Sequence, residues 1–371
     1  MSTYKERKSG VEFLKLIAML MIVISHSCPY YGDWGAPSYV NLRVATINIQ
    51  NLIMVLFVYM GQLGNCMFLA CTAYYLLDAE KVRGKKILYL LADCLLVSVA
   101  FLLVYVMRGY EFSKILICKQ FFPTTFEYNW FVGCYILLYA LSPLLNILIK
   151  KLSQKQLFLL DMLGVIFYSV LQMLLSNSYY YTRLMGFVLI YFLMAYCKLY
   201  LPKTITVKKY NRIVLVVSSI LLVAMIGASN ILGLYTDTFR EKNLYYCVFV
   251  NPFIILIAFS AFFLCKEWNR HSNLINKCAS VTLYIYIIHE NYLFATYTRP
   301  EYFAYIYERF TYRNVALWAA ALALGCYVAG LLLGLLYTAT ARKWVYRICD
   351  KVSIVLEKAF ERVYSLFQRL D

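Results

Sequence analysis

The chain has 371 residues, of which 63% are apolar and 18% aromatic, and its mean hydropathy is +0.65. Soluble domains contain about 45–50% apolar residues, so this composition excludes an ordinary soluble enzyme and indicates a surface that faces lipid. The net charge of +17 is spread over short basic clusters between apolar stretches. That distribution is typical of cytoplasmic loops and argues against a nucleic-acid partner.

Apolar stretches long enough to cross a bilayer, about 20 residues each, recur along the chain. They predict an all-α polytopic membrane protein with about ten transmembrane helices, at 11–29, 48–77, 87–107, 129–149, 157–175, 184–200, 212–232, 246–265, 280–297 and 314–340. The second stretch is too long for one simple crossing. We expect it to begin with an interfacial helical piece before Gly61 and Gly64. No polar linker divides the chain, so we predict one integral-membrane domain over residues 1–340.

The distribution of lysine and arginine assigns an orientation to these helices. With the N-terminus inside, the six segments on the cytoplasmic side hold 25 Lys and Arg residues, and the five opposite loops hold 10. No cytoplasmic segment holds fewer Lys and Arg residues than an outer loop next to it. The positive-inside rule therefore predicts that both termini are cytoplasmic.

The tail, residues 341–371, alternates basic and apolar residues at helical spacing. This pattern predicts an amphipathic helix lying on the anionic inner leaflet of the membrane. A solvated helical tail is the alternative. No catalytic residue is expected in this segment.

The first predicted helix carries three ionisable residues, Glu12, Lys15 and His26. Ionisable groups within spanning helices are costly and suggest function. Lys15 and His26 share a helix face and are separated by about 16 Å along the axis, which would suit a long ligand with a charged end at the cytoplasmic mouth. Each residue also has a plainer interpretation. Lys15 would extend to the headgroups, Glu12 would pair with it, and His26 would bond a neighbouring helix.

A second histidine, His289, lies about 14 Å into a later predicted helix, a depth comparable with that of His26. The two are therefore expected to meet across a cavity. A histidine is suited to removing a proton from a hydroxyl near neutral pH. Glu290 follows directly and would orient a histidine or pair with a cation. The third histidine, His271, lies in a basic loop and is predicted to be a surface residue.

The loop after the second helix contains Arg83 and Lys86 and is a candidate for binding phosphates. The alternative is a plain positive-inside loop. Trp130, at the start of a later helix, is suited to anchoring that helix at the membrane interface.

Five motifs in the right order resemble the acyltransferase-3 family of bacterial membrane acyltransferases, and the resemblance covers most of the chain. They are Lys15-x10-His26, the Phe68–Leu76 stretch around Thr72 and Tyr74, Arg83-Gly-Lys-Lys86, Asn129-Trp130-Phe131 with the following Ser142-Pro143, and Thr282…Tyr286…His289-Glu290-Asn291.

The resemblance implies transfer of an acyl group, usually acetyl from acetyl-CoA, to a sugar hydroxyl of an envelope polysaccharide or its lipid-linked precursor. It also implies a multi-pass protein of the bacterial inner membrane that needs no metal. The catalytic residues would be His26, His289 and Glu290. Acetyl-CoA would be held at the cytoplasmic face by Lys15, Arg83 and Lys86, and the substrate by Glu12, Thr72, Tyr74, Trp130 and Asn291.

Two positions depart from the family pattern. Lys15 stands where the family has arginine and lacks the bidentate guanidinium fork. Thr72 and Ala73 stand where the family has Ser-Gly and add methyl groups at a point of close helix packing. Both departures are expected to alter substrate preference or activity.

A transporter or flippase for an anionic or glycolipid solute is the rival hypothesis, because a basic mouth and two membrane histidines would serve such a solute too. No inverted repeat and no matched pair of broken helices is evident in the sequence, which weakens this interpretation.

Overall fold

A computed structural model describes residues 8–28, 41–79, 81–126, 128–171, 173, 182–201, 208–310 and 314–368. Within these ranges the chain is helical and contains no β-strand. The first seven helices are α1 Ser9–His26, α2 Ile49–Leu76, α3 Gly84–Met107, α4 Lys114–Phe121, α5 Trp130–Lys151, α6 Gln154–Val165 and α7 Arg183–Tyr200. The others are α8 Lys208–Tyr235, α9 Pro252–Lys266, α10 Asn273–Ala279, α11 Thr282–His289, α12 Arg299–Phe310, α13 Val315–Thr340 and α14 Arg342–Gln368.

Seven of these helices are long and apolar enough to cross a membrane, namely α1, α2, α3, α5, α7, α8 and α13. They confirm an all-helical chain with several membrane-spanning segments. The other three predicted spans contain shorter helices. Residues 157–175 hold the end of α6 and a π-helical turn, and 246–265 hold the 15-residue α9. The expectation of ten crossings and of cytoplasmic termini stays a prediction.

The predicted span 280–297 is not one helix. Helix α11 has only eight residues and ends at His289. The Asn291 side chain then accepts a hydrogen bond from the backbone N–H of Leu293, at 3.0 Å, and starts a new helical segment. Hydropathy does not detect this interruption, because the residues on both sides of it are apolar.

The expected break in the second span is wrong, since α2 is continuous over 28 residues. Its two central glycines pack against α1 instead of ending the helix. A Cβ atom at Gly64 would lie 2.4 Å from the carbonyl oxygen of Ala18, and one at Gly61 would lie 2.3 Å from Ser25 Oγ. The glycines therefore allow two helices to approach closely, as small residues do in membrane bundles.

Helix α1 lies at the centre of the bundle, in contact with α2, α9, α10, α11 and α13. Its apolar side chains are buried against them, with Ala18, Ile22 and Val23 at most 1% exposed. By contrast, α8 and α13 expose long rows of apolar side chains. Lipid is the medium in which such rows are stable. These contacts with five other helices hold the polar residues of α1 in place.

The C-terminal segment is a helix, as its spacing predicts, and it packs along α3. The rings of Tyr89 and Tyr346 stack with centroids 3.7 Å apart. The buried carboxylate of Asp93 accepts hydrogen bonds from the hydroxyls of Tyr284, Tyr337 and Tyr346, each at 2.9 Å. Four helices, α3, α11, α13 and α14, are joined at this carboxylate.

Candidate active site

His26 and His289 meet at the point where their two helices end. Each is the last residue of its helix, α1 and α11 respectively. His26 Nδ1 lies 3.1 Å from His289 Nε2, and the ring centroids are 5.3 Å apart at 27°. The prediction that these two histidines come together is confirmed.

Glu290 connects the histidine pair to a buried arginine. One of its carboxylate oxygens accepts from His26 Nδ1, and the other lies 3.6 Å from Arg299 Nη2. The same guanidinium donates to the carbonyl oxygen of His289 at 2.7 Å. Glu290 therefore contacts both a histidine and a cation, the two kinds of partner expected for it from the sequence.

The hydrogen bonds define which ring nitrogens carry protons. His289 Nδ1 lies 2.6 Å from the carbonyl oxygen of Ile285. A carbonyl only accepts, so Nδ1 carries the proton, and Nε2 of the neutral ring has a free lone pair. His26 Nδ1 then donates to Glu290, with His289 Nε2 beside it. For the remaining nitrogen, His26 Nε2, no partner is found among the described residues; in a neutral ring with the proton on Nδ1, Nε2 is an acceptor.

His26 is also the member of this cluster that another molecule can reach. Its side chain is 19% exposed, whereas that of Glu290 is 5% exposed. His289 is 2% exposed. Of the three residues, His26 is therefore the one that is open to contact, and His289 and Glu290 are buried beside it.

The same three residues also have the spacing of metal ligands. One atom from each of His26, His289 and Glu290 lies within 4.8 Å of the others, and two histidines with a carboxylate are a frequent ligand set for zinc or iron. A metal there would occupy His26 Nδ1 and displace its hydrogen bond to Glu290. We interpret the cluster as a chain for handling a proton, because Nδ1 of each ring is already used as a hydrogen-bond donor, to Glu290 in one case and to the Ile285 carbonyl in the other.

A large cavity of about 1310 Å³ opens at the end of the bundle where α1 begins. It is lined by the three residues predicted to bind acetyl-CoA, Lys15, Arg83 and Lys86, and by Thr72. Its other cationic lining residues are Lys81, Lys85 and Lys150. The Lys15 Nζ also forms an ion pair with Glu12 at 3.0 Å, which is the pairing considered for Glu12 from the sequence.

The remaining predicted substrate residues lie outside the lining of this cavity. The Tyr74 ring packs under Lys198 and Lys266, whose ammonium groups lie 4.4 Å and 4.6 Å from the ring centroid. The Trp130 ring lies 4.7 Å from the Arg183 guanidinium. Asn291 caps the turn after His289. Substrate contacts by Glu12, Tyr74, Trp130 and Asn291 stay predictions. His271 is exposed, as expected.

Arg299 is the site residue that the sequence did not reveal. It is 6% exposed and follows the π-helical turn Phe294–Thr298, at the start of α12. The sequence places it in a loop on the side opposite the cytoplasm, where an arginine attracts no attention. Its spacing of ten residues from His289, close to the end of a predicted membrane span, is the signal that the sequence offers.

Comparison with protein families assigns the chain to a family. The acyltransferase-domain model of the acyltransferase-3 family matches residues 8–339. The chain belongs to the acyltransferase-3 family. No curated protein and no solved structure matches the chain. In this acyltransferase-3 protein, both histidines, Glu290, Arg299 and most of the cavity lining fall inside the matched range, whereas α14 begins just after it.

Proposed function

We propose that this membrane acyltransferase moves an acetyl group from cytoplasmic acetyl-CoA to a sugar hydroxyl of an envelope polysaccharide or its lipid-linked precursor, in the inner membrane of a bacterium. The observation that carries the proposal is the partly exposed side chain of His26, whose Nδ1 contacts the buried carboxylate of Glu290. This arrangement resembles a base held by a carboxylate, which transfers protons in many acyl-transfer enzymes.

The donor would enter at the basic cavity. Six cationic side chains, from Lys15 to Lys150, line it, and phosphate groups are what lysine and arginine bind best. His26 lies eleven residues beyond Lys15 on α1, or about 16 Å along the axis. A donor with phosphates at the cavity mouth would need a long, thin, uncharged arm to bring its acyl group to His26, and the pantetheine arm of acetyl-CoA has that form.

The chemistry would then be a direct transfer. The acceptor hydroxyl gives its proton to His26 Nε2 as its oxygen attacks the thioester carbonyl. The new C–O bond forms, the C–S bond breaks, and the proton passes from the imidazolium to the departing CoA sulfur. The products are the acetylated sugar and free CoA thiol.

Glu290, His289 and Arg299 would act as positioning residues. Glu290 stabilises the imidazolium that forms on His26, because a carboxylate at Nδ1 favours the charged ring. Arg299 keeps Glu290 ionised and ties it to the His289 carbonyl. His289 limits the rotation of the His26 ring by stacking on it.

Glycan mass spectra from wild-type and deletion cells test the proposal and identify the acceptor. We expect one envelope glycan to lose acetyl groups in the deletion strain and to regain them when the wild-type gene is returned, but not when the His26→Ala gene is returned. Unchanged acetylation, together with accumulation of a glycolipid on the inner leaflet, would overturn the proposal in favour of transport.

A further inference from the structure

Helix α14 forms one wall of the donor cavity, although it lies outside the range matched by the family. The family match ends at residue 339, and α14 spans Arg342–Gln368. Four of its side chains line the cavity, namely Glu357, Phe360, Glu361 and Ser365. The tail, in which the sequence predicts no catalytic residue, therefore contributes to the lining of the cavity.

The helix is attached to the membrane domain along its length. The Tyr346 hydroxyl donates to Asp93 at 2.9 Å, and burial raises the pKa of Tyr346, so that this hydroxyl stays protonated. The Tyr89 hydroxyl donates to Asp350. Near the cavity, a Cβ atom at Gly84 would lie 3.3 Å from the backbone nitrogen of Glu357. Such a close approach fixes the position of Glu357 relative to the basic loop.

The charges in the cavity are arranged unevenly. Three acidic residues line it, Asp78, Glu357 and Glu361. Asp78 forms an ion pair with Lys198 at 2.6 Å. For Glu357 and Glu361 no ion pair is found within the described part of the chain, and both belong to α14. A site built only for phosphates would gain nothing from two carboxylates, because like charges repel. Carboxylates accept hydrogen bonds, so their natural ligand is an N–H donor.

An aromatic surface lies next to these carboxylates. Phe360 packs against a small apolar cluster formed by Val82, Ile87 and Tyr139. Tyr135 and Tyr139 also line the cavity. Planar aromatic side chains stack well on nucleobases. Cations, carboxylates and aromatic rings therefore occur together at the mouth, and they complement phosphate, an amino group and a planar base.

We infer that α14 supplies the nucleoside subsite of the donor cavity, with Phe360 packing against the adenine ring and Glu357 and Glu361 accepting a hydrogen bond from its exocyclic amino group. This inference rests on the proposed function, since it takes a CoA thioester as the donor. The donor phosphates bind Arg83 and Lys86, and the pantetheine arm runs past Thr72 and Lys15 towards His26.

Three donors separate the parts of this subsite. Acetyl-CoA carries the phosphates, the nucleoside and its exocyclic amino group. Acetyl-1,N6-etheno-CoA keeps the phosphates but lacks the amino N–H groups. Acetyl-4′-phosphopantetheine lacks the nucleoside altogether. With the purified full-length protein, we expect the KM for the etheno donor to be roughly tenfold higher than for acetyl-CoA, the effect of one hydrogen bond to a charged group.

Variants on α14 then assign the effect to residues. The double variant Glu357→Gln and Glu361→Gln should remove most of the preference for acetyl-CoA, and Phe360→Ala should raise the KM for both nucleoside donors by several-fold. Neither change should alter kcat with acetyl-4′-phosphopantetheine. Lys358→Gln, an exposed position on the same helix, is the matched control and should leave the preference intact.

Two outcomes would overturn the inference. One is a wild-type protein that uses acetyl-CoA and the etheno donor equally well. The other is an α14 variant that loses activity equally with all three donors, because the helix would then only support the fold. Binding of fluorescent etheno-CoA, displaced by CoA, is measured alongside turnover. Tight, amino-dependent binding without transfer from any donor would contradict the proposed function while supporting the nucleoside subsite.

Discussion

Glu290 occupies a position where a change of a single atom tests the role of charge. It contacts His26 Nδ1 on one side and Arg299 on the other, and its side chain is 5% exposed. Glutamine has the same shape but no charge. Its amide nitrogen is a hydrogen-bond donor, so if it pointed towards His26 it would meet the Nδ1–H group, which is also a donor.

We expect Glu290→Gln to lower kcat by about 10²-fold or more, because the imidazolium formed on His26 loses its counter-ion. The KM for acetyl-CoA should stay near the wild-type value, since the donor cavity is remote from Glu290. Glu308→Gln, an exposed glutamate on α12, is the control. A rise in KM by about the same factor, with kcat unchanged, would show that Glu290 serves binding and not the proton transfer.

Metal removal distinguishes the two uses to which the histidine cluster is suited. Because Nδ1 of both His26 and His289 is already used as a hydrogen-bond donor, we expect full activity after prolonged dialysis against EDTA and 1,10-phenanthroline. Metal content is measured by mass spectrometry on the same sample. Activity that is lost on dialysis and restored by zinc or iron would show that the cluster ligates a metal.

The residues of this site were partly predictable from the sequence. His26, His289 and Glu290 were identified because ionisable groups are rare in apolar helices and each therefore needs an explanation. Arg299 was not, since its position after an irregular turn made it look like a loop residue. The side chain of Asn291 accepts a hydrogen bond from the backbone N–H of Leu293, and spacing alone does not distinguish such a cap from a ligand.

At the scale of helices, the close contact of α1 and α2 determines where His26 lies. Gly64 faces the Ala18 carbonyl, which belongs to a helix backbone and has no freedom to rotate away. Added volume at Gly64 must therefore push the two helices apart.

We expect Gly64→Ala to destabilise the protein by about 1–3 kcal/mol, the usual cost of overpacking, and to reduce kcat because His26 shifts relative to His289. Gly227→Ala is the matched control, since a Cβ atom there has nothing within 4 Å and alanine favours a helix over glycine. Thermal unfolding in detergent and turnover are measured for both. Equal unfolding temperatures for the two variants would contradict the close contact at Gly64.

The helices themselves were predicted well where they are long and uniformly apolar. Helices α3, α8 and α13 match their predicted ranges to within a few residues. The failures occurred where local hydrogen bonding or packing outweighs hydropathy. The side chains of Asn251 and Asn291 begin new segments inside apolar stretches, and Gly61 and Gly64 serve helix packing rather than a break.

For the molecule as a whole, the donor cavity brings together segments that the loop count places on one side. Its lining includes described residues of the loop between α2 and α3, Lys150 on α5, and four side chains of α14. These segments come from distant parts of the sequence, and the loop count predicts all of them to be cytoplasmic.

Fusion reporters test that orientation directly. A fluorescent protein fused after Asp371 should fluoresce, and alkaline phosphatase fused at the same point should be inactive, because the C-terminus is predicted to be cytoplasmic. Fusions truncated after Glu241, in a predicted outer loop, should show the reverse. Active phosphatase at Asp371 would place the basic cavity outside the cell, away from acetyl-CoA, and would contradict the proposed donor.

The central claim is that His26 transfers the proton during acyl transfer, and a radiolabelled transfer assay tests it most directly. Purified wild-type, His26→Ala and His271→Ala proteins are incubated with [acetyl-¹⁴C]acetyl-CoA and the acceptor glycan found by mass spectrometry. His271 is exposed and remote from the site, so its variant controls for the loss of a histidine. We predict that label reaches the glycan with the wild-type and His271→Ala proteins and not with His26→Ala. Transfer by His26→Ala at the wild-type rate would contradict this account.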